Sequence, residues 1–353
     1  MISSYRNLAW NILLANCNRL KRPYKLLLAL TYRCNLRCRY CQIWKRPPGA
    51  EMEIKEIETF FARQPYFSWI DLGGGEVTLR PDLPEIIKII VSRSPHLVLL
   101  HFPTNGYLPE SLFTAARLVK RLKVPRFIVT VSIDGPPSVH DRLRGMKGSF
   151  SKVLEAFEGL RRVEMTEAYL GMTLGTENSG LIEETFQSVK KVLGWVQKSD
   201  FHFNLAHNAF YYNNLETRVS PPTDLAGMLR RVSHWPSPRW SPQSILERRY
   251  LRLAERYLAS GRSPLPCFAL RASCFIDPSW QVYPCVGYER TLGNLRDNEF
   301  DLSRVWNGPR ARQIREEIES GNCPQCWTPC EAHQSILGNA LSFINRRNFR
   351  GHP

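Results

Sequence analysis

Long apolar runs are missing from this 353-residue chain: Leu26–Leu30 is typical of the longest, far short of the roughly 20 residues that cross a bilayer. No transmembrane helix is expected. The first segment also lacks the compact apolar core and small-residue cleavage site of a secretory leader, so a cytoplasmic protein is expected, with peripheral contact at the inner membrane surface left open. Acidic residues are absent from positions 1–50, which hold ten Lys/Arg, and absent again after Glu331, where Arg346, Arg347 and Arg350 follow. Those two ends leave only +3 of the formal +16 for the body between them. A nearly balanced body argues against a basic fold wrapped around nucleic acid. Basic ends suit an anionic lipid surface or a negatively charged cofactor, or are simply solvated. Cysteine, finally, is absent between Cys41 and Cys267.

What remains is an ordinary globular composition, 43% hydrophobic and 23% charged, which excludes global disorder. Strand-like runs rich in Val, Ile, Leu and Phe occur at 25–32, 67–72, 97–102, 126–134, 168–175 and 201–208. They alternate with amphipathic helical segments near 54–63, 83–91, 109–122, 149–163 and 181–193. Pro109 suits a first helical turn, and Ser149 is a candidate cap. Six such repeats predict an α/β fold with a parallel sheet, curved into a partial (β/α)6 barrel, with ligands at the strand carboxyl ends. Residues 1–24 read as a basic amphipathic helix, 25–215 as the barrel, and 216–263 as a Pro/Trp-rich connection ending in a helix. Residues 264–335 read as a small cysteine-rich domain and 336–353 as a basic tail.

Ten cysteines without an export signal point to metal or redox chemistry rather than disulfides. Cys34, Cys38 and Cys41 leave the first strand with C-x3-C-x2-C spacing. Three thiolates can ligate three irons of a [4Fe–4S] cube and leave the fourth open. Zinc would want a fourth protein ligand, and none lies nearby in sequence. With Tyr40 before the third cysteine, this motif resembles the radical SAM superfamily. The resemblance implies S-adenosylmethionine on the open iron, its reductive cleavage to a 5′-deoxyadenosyl radical, and hydrogen abstraction from a substrate. It further implies that Gly74-Gly75-Glu76 holds the methionine amino group, although Val77 stands where relatives carry Pro. Ser132 and Arg144 are the implied contacts of the methionine carboxylate. Asn178 either faces the cofactor or caps a turn, and no acid or base catalyst is nominated.

Cys267, Cys274, Cys285, Cys323, Cys326 and Cys330 fall in a segment too poor in apolar residues to fold without help. With the Phe275–Cys285 hairpin, Gly293-Asn294-Leu295 and Val305-Trp306, they resemble the SPASM and twitch auxiliary-cluster domains. The resemblance implies one auxiliary [4Fe–4S] cluster on Cys267, Cys285, Cys323 and Cys326, with Cys274 and Cys330 as further candidate ligands. A second, incomplete cluster using His333 and a structural zinc site stay open. Trp280 stands at a hairpin tip that usually carries Gly. Val286 replaces the acidic residue that follows this cysteine in sulfatase-maturing relatives, which disfavours that activity.

The helix at 3–20 is expected to present Trp10, Leu13, Leu14, Cys17 and Leu20 on one face. That face either rests on an anionic membrane or packs on the barrel and closes its open edge. His202 and His207 flank the sixth strand, near where substrate would lie. Only 33 residues precede Cys34, too few for the fused leader-peptide domains of several relatives, so a peptide substrate would need a separate carrier or direct recognition. The resemblance favours oxidative modification or cross-linking of a peptide, with a small metabolite or lipid-linked substrate as the alternative. An electron donor such as flavodoxin or ferredoxin is implied. A non-catalytic iron–sulfur or zinc protein is the rival from another class.

Overall fold

The computed structural model describes residues 2–47, 49–216, 225–235 and 241–341. Nine strands form one sheet: β1 (Lys25–Thr31), β2 (Trp69–Gly74), β3 (Leu99–Thr104), β4 (Arg126–Ser132), β5 (Thr166–Leu174), β6 (Phe201–Leu205), β7 (Ser273–Ile276), β8 (Gln281–Tyr283) and β9 (Gly293–Asn294). Their order is β6-β5-β4-β3-β2-β1-β7-β8-β9. Pairing is parallel from β6 through to β7 and antiparallel across β8 and β9. The sheet is open, and its first six strands are the expected repeats.

The helices are α1 (Ile2–Asn16), α2 (Ile54–Arg63), α3 (Leu83–Arg93), α4 (Pro109–Arg121), α5 (Pro137–Arg144), α6 (Ser149–Arg162), α7 (Ile182–Val192), α8 (Leu225–Val232), α9 (Pro242–Ser260), α10 (Leu302–Trp306), α11 (Pro309–Glu319) and α12 (Pro329–Gly338). Strand side chains alternate between two environments, as the pleat demands. Leu26, Leu28, Ile70, Leu100, Val129, Leu170 and Phe203 join the core beneath the helices. Leu27, Asp71, His101, Thr130, Thr173 and Asn204 line a common lumen, which makes the six strands a partial barrel. All of β1 is buried, as suits a strand paired on both sides.

Local chemistry sets the helix ends. Glu53 and Glu56 form a capping box at the start of α2. Pro109 opens α4 in the first turn. Ser149 does not cap α6. Instead Asp141 accepts the Phe150 amide at 2.9 Å, the Ser149 hydroxyl at 2.9 Å and the Gly148 amide at 2.5 Å.

Two expectations about the edges need correction. The edge of β1 is taken by β7, with Lys25 opposite Ser273 and Leu28 opposite Ile276. The cysteine-rich segment is therefore an extension of the barrel sheet. Helix α1 lies instead across the amino ends of the strands. Ser4 Oγ donates to Pro95 O at 3.3 Å, Ser68 Oγ to Asn7 Oδ1 at 3.1 Å, and Asn16 Nδ2 to Leu337 O at 2.8 Å. Its inner face carries Leu8, Ile12 and Ala15 against Tyr24, Phe268 and Ala272. The expected face is turned outward, for Trp10, Leu13 and Cys17 are exposed. The tail with Arg346, Arg347 and Arg350, and residues 217–224 and 236–240 of the connection, lie outside the described residues.

The hairpin tip explains its missing glycine. Trp280 adopts a left-handed φ of 68°, a conformation that ordinarily favours Gly. Its ring is fully buried, 5.4 Å from Phe60 and 5.1 Å from Phe300, and Nε1 donates to Glu56 Oε2 at 2.9 Å. Glu56 also takes the Arg296 guanidinium at 2.6 Å, so the cap of α2 anchors the cysteine-rich segment.

Candidate active site

A cavity of about 830 Å³ occupies the barrel lumen. At one end stand Cys34, Cys38, Cys41, Gly73–Glu76, Asn105, Ser132 and Arg144; further in lie His202, His207, Cys330 and His333. The cysteine loop leaves β1 and is clamped by backbone bonds from four directions. Gly75 N donates to Thr31 O at 2.7 Å and Glu76 N to Arg33 O at 2.9 Å. Arg37 N reaches Arg144 O at 3.1 Å, and Gln42 N reaches Tyr212 O at 2.8 Å. Asn214 Nδ2 adds a bond to Tyr40 O at 2.7 Å. The glycines are required by this loop itself. A Cβ on Gly74 would sit 2.0 Å from Thr31 O, and one on Gly75 2.1 Å from Arg33 O. Tyr211 completes the clamp: its hydroxyl donates to Gly74 O at 2.8 Å and accepts Gly74 N at 2.7 Å.

Glu76 is buried, and its carboxylate is well supplied with donors. Oε1 accepts the Thr78 amide (3.2 Å), the Thr78 hydroxyl (2.7 Å) and the Thr104 hydroxyl (2.9 Å), while Oε2 accepts the Asn105 amide at 2.7 Å. Burial pushes this carboxyl up and these bonds pull it down. The side chain ties the ends of β2 and β3 together, so the face of this motif open to a ligand is mainly backbone. Val77 is compatible with that geometry and begins a short turn of 3-10 helix.

Arg144 ends α5 beside the cysteines. Nη1 lies 3.7 Å from Cys38 Sγ and Nε 2.5 Å from Asp134 Oδ2. Tyr40 OH also donates to Asp134, whose other oxygen accepts Thr173 N at 3.0 Å. Burial pushes the Asp134 carboxyl up while the guanidinium draws it down. Asn178 is a structural tie and does not line the cavity. Its amide donates to Asp134 O and Thr173 O at 2.9 Å each, and its Oδ1 accepts Gly175 N at 2.8 Å. Asn105 and Asp134 stand in the strand-end motifs Thr104-Asn105-Gly106 and Ser132-Ile-Asp134-Gly135, which the sequence shows without their partners, while Tyr211 and Asn214 went unnoticed.

Among the described residues, no three His, Cys, Asp or Glu side chains close on a single metal ion. None of the ten cysteines forms a disulfide. Burial raises the Cys34 thiol to about 11 and Cys41 to about 12; Cys38 pushes both up further, and Cys34 adds to Cys41. Three neighbouring thiols, Cys38 buried and Cys34 and Cys41 half-buried, with one guanidinium beside them, form a donor set that suits a polynuclear iron group rather than a single ion. Cys267, Cys285, Cys323 and Cys326 form a second neighbourhood. Cys267 feels Cys326 and Cys323, Cys285 feels Cys326 and Cys267, and Glu331 acts on Cys267, Cys285 and Cys326. Cys274 is packed into the core of β7. Cys330 lines the lumen, where Lys25 is its first electrostatic neighbour. His333 is also a lumen residue, 6.3 Å from the Trp69 ring and 3.9 Å from Glu247 Oε2. Burial depresses the His202 and His333 imidazoles to about 3 and also lowers His207.

Comparison with known proteins defines the class. The radical SAM superfamily model matches residues 28–189, and the SPASM iron–sulfur cluster-binding domain matches residues 267–331. Mycofactocin maturase MftC of Mycobacterium ulcerans is 30% identical over 87% of this chain and 81% of its own. The chain therefore belongs to the radical SAM superfamily and carries a SPASM domain; it is an enzyme whose cofactors are S-adenosylmethionine and [4Fe–4S] clusters, one of them auxiliary. More distant relatives include an AdoMet-dependent heme synthase of Oleidesulfovibrio alaskensis, 24% identical over 84% of this chain and 78% of that protein. Among solved structures, Streptococcus suis SuiB bound to S-adenosylmethionine shares the fold at a TM-score of 0.60 and 17% identity, covering 86% of this chain and 70% of SuiB. No described helix is long and apolar enough to cross a membrane.

Proposed function

We propose that this enzyme oxidatively modifies or cross-links a peptide held in the barrel lumen. The observation that carries this reading is the 30% identity with mycofactocin maturase MftC across most of both chains. The lumen supports it, being large enough for about one bulky side chain with its backbone and lined by Phe275, Val286, Tyr211 and Tyr212 near the cysteine loop. Val286 makes this wall apolar where sulfatase-maturing relatives carry an acid, which speaks against that activity. The heme synthase relative favours a second reading, a small metabolite in the same lumen.

In this proposal Cys34, Cys38 and Cys41 hold the cluster that binds S-adenosylmethionine, and the two together supply the hydrogen-abstracting radical. The carbonyls of Gly74–Glu76 receive the methionine ammonium, while Tyr40, Ser132 and Arg144 border the rest of the cofactor. Asp134 fixes the Arg144 guanidinium. Cys267, Cys285, Cys323 and Cys326 hold the auxiliary cluster, leaving Cys274 as a core residue and Cys330 as a thiol on the lumen wall. A flavodoxin or ferredoxin supplies electrons.

The test is 5′-deoxyadenosine formation by anaerobically reconstituted protein with S-adenosylmethionine and dithionite. Product that disappears in Cys38→Ala is expected. Incubation with short peptides encoded beside the gene should then give a mass loss of two hydrogens or of a larger group. A modified small metabolite, with all such peptides unchanged, would overturn the peptide reading.

A further inference from the structure

Helix α1 is apolar on two opposite faces, and the barrel covers only one. Leu8, Ile12 and Ala15 face inward, and Tyr5, Leu8 and Ile12 help to floor the lumen. On the far side Ile2 is 78% exposed, Trp10 58% and Leu13 40%. At 100° per residue Ile2, Arg6, Ala9, Leu13 and Cys17 form one continuous strip, with Trp10 at its border. A surface helix normally turns polar residues outward, so a second, largely apolar strip interrupted by Arg6 calls for a cover of its own. The flank is uniformly basic: Arg6, Arg19, Lys21 and Arg22 are exposed, and no acid occurs before residue 51. The described chain also ends here, because Leu341 N donates to Asn16 Oδ1 at 2.8 Å.

We infer that α1 is an interfacial helix that seats the enzyme on an anionic lipid surface. An indole and aliphatic side chains within a ring of arginine and lysine match the acyl boundary and headgroups of such a surface. An acidic electron-donor protein would meet the same charges, but α1 lies at the amino ends of the strands, opposite the cysteine loop where electrons must enter. A lipid surface is therefore the occupant that fits both position and composition.

Flotation of the full-length reconstituted enzyme with vesicles tests this. Binding to phosphatidylcholine–phosphatidylglycerol vesicles is expected, with little to phosphatidylcholine alone and weakening as salt rises. The double substitution Trp10→Glu/Leu13→Glu should cut partitioning about tenfold or more. It should keep wild-type iron content and uncoupled S-adenosylmethionine cleavage, while Trp10→Phe/Leu13→Ile should float like wild type. Failure of the wild type to float with the mixed vesicles overturns the inference, as does undiminished binding by the double Glu variant. A concentration-dependent dimer abolished by that variant, without lipid binding, would assign the face to a second copy instead.

Discussion

At Gly75 the space for a side chain is filled by the carbonyl of Arg33, so the residue is fixed by the neighbouring loop before any cofactor is considered. Gly75→Ala should displace the cysteine loop and remove most of the loop's iron, read from metal content and the visible absorbance of the cluster. Gly180→Ala, where nothing stands within 4 Å of the added carbon, should leave both unchanged. Arg144→Leu strands the Asp134 carboxylate without its cation. Loss of one partner of a buried pair costs about 3–5 kcal/mol, so the variant should unfold earlier in denaturant as well as lose cleavage activity. His140 gives a pH signature. Burial and the nearby Arg144 depress its pKa to about 3, while its Nδ1 accepts Asp134 N at 3.1 Å. With the folded pKa below the unfolded value near 6.5, the unfolded state binds the extra proton, and stability drops as pH falls through 6.5. His140→Asn lacks that slope, so its penalty at pH 7 should shrink by about 2 kcal/mol at pH 5, as measured by urea titrations at the two values.

Among the elements, the hairpin between β7 and β8 sets two effects against each other. Trp280→Gly relieves a left-handed backbone worth roughly 1–2 kcal/mol but empties a site whose loss costs about 3–5 kcal/mol. The variant should therefore be less stable by about 2–3 kcal/mol in chemical denaturation, despite restoring the residue usual at such a tip. The elements themselves were largely legible in the sequence. Apolar runs and amphipathic periods locate β1–β6, α2–α4, α6 and α7 within a few residues, because burial on two faces or one stripe writes itself into local pattern, whereas the short helix α5 was not foreseen. The outward face of α1 was legible only as an apolar stripe. With apolar residues on both sides of that helix, periodicity alone could not say which side meets protein. Glu76 was found but its partners were not, since Thr104 and Asn105 reach it across the sheet and no local signal records that. Tyr211 and Asn214 were hidden for the same reason, and Asp141 took the capping role because α5, which carries it, packs against the start of α6.

The whole molecule is tied together by β1. Lys25, on the lumen side of that strand, is 1% exposed. It pairs with Asp71 at 3.1 Å, donates to Cys330 O at 2.7 Å and to Gln334 Oε1 at 3.2 Å, and lies 4.1 Å from the Trp69 ring centre. Removing residues 264–353 would strip two of those acceptors and expose the β1 backbone as an unpaired edge. The truncated barrel should accumulate in the insoluble fraction on expression, whereas a soluble barrel with native circular dichroism would show that the SPASM segment is a separable module. Because Lys25 pairs with Ser273, the first strand off the ribosome waits for one of the last before both its sides are satisfied. During synthesis the adjoining cysteine loop stays open to oxidants until most of the chain has emerged. Iron loading is thus a late event in this protein's biogenesis, and slow translation under air would waste more of it than slow folding under anaerobic conditions.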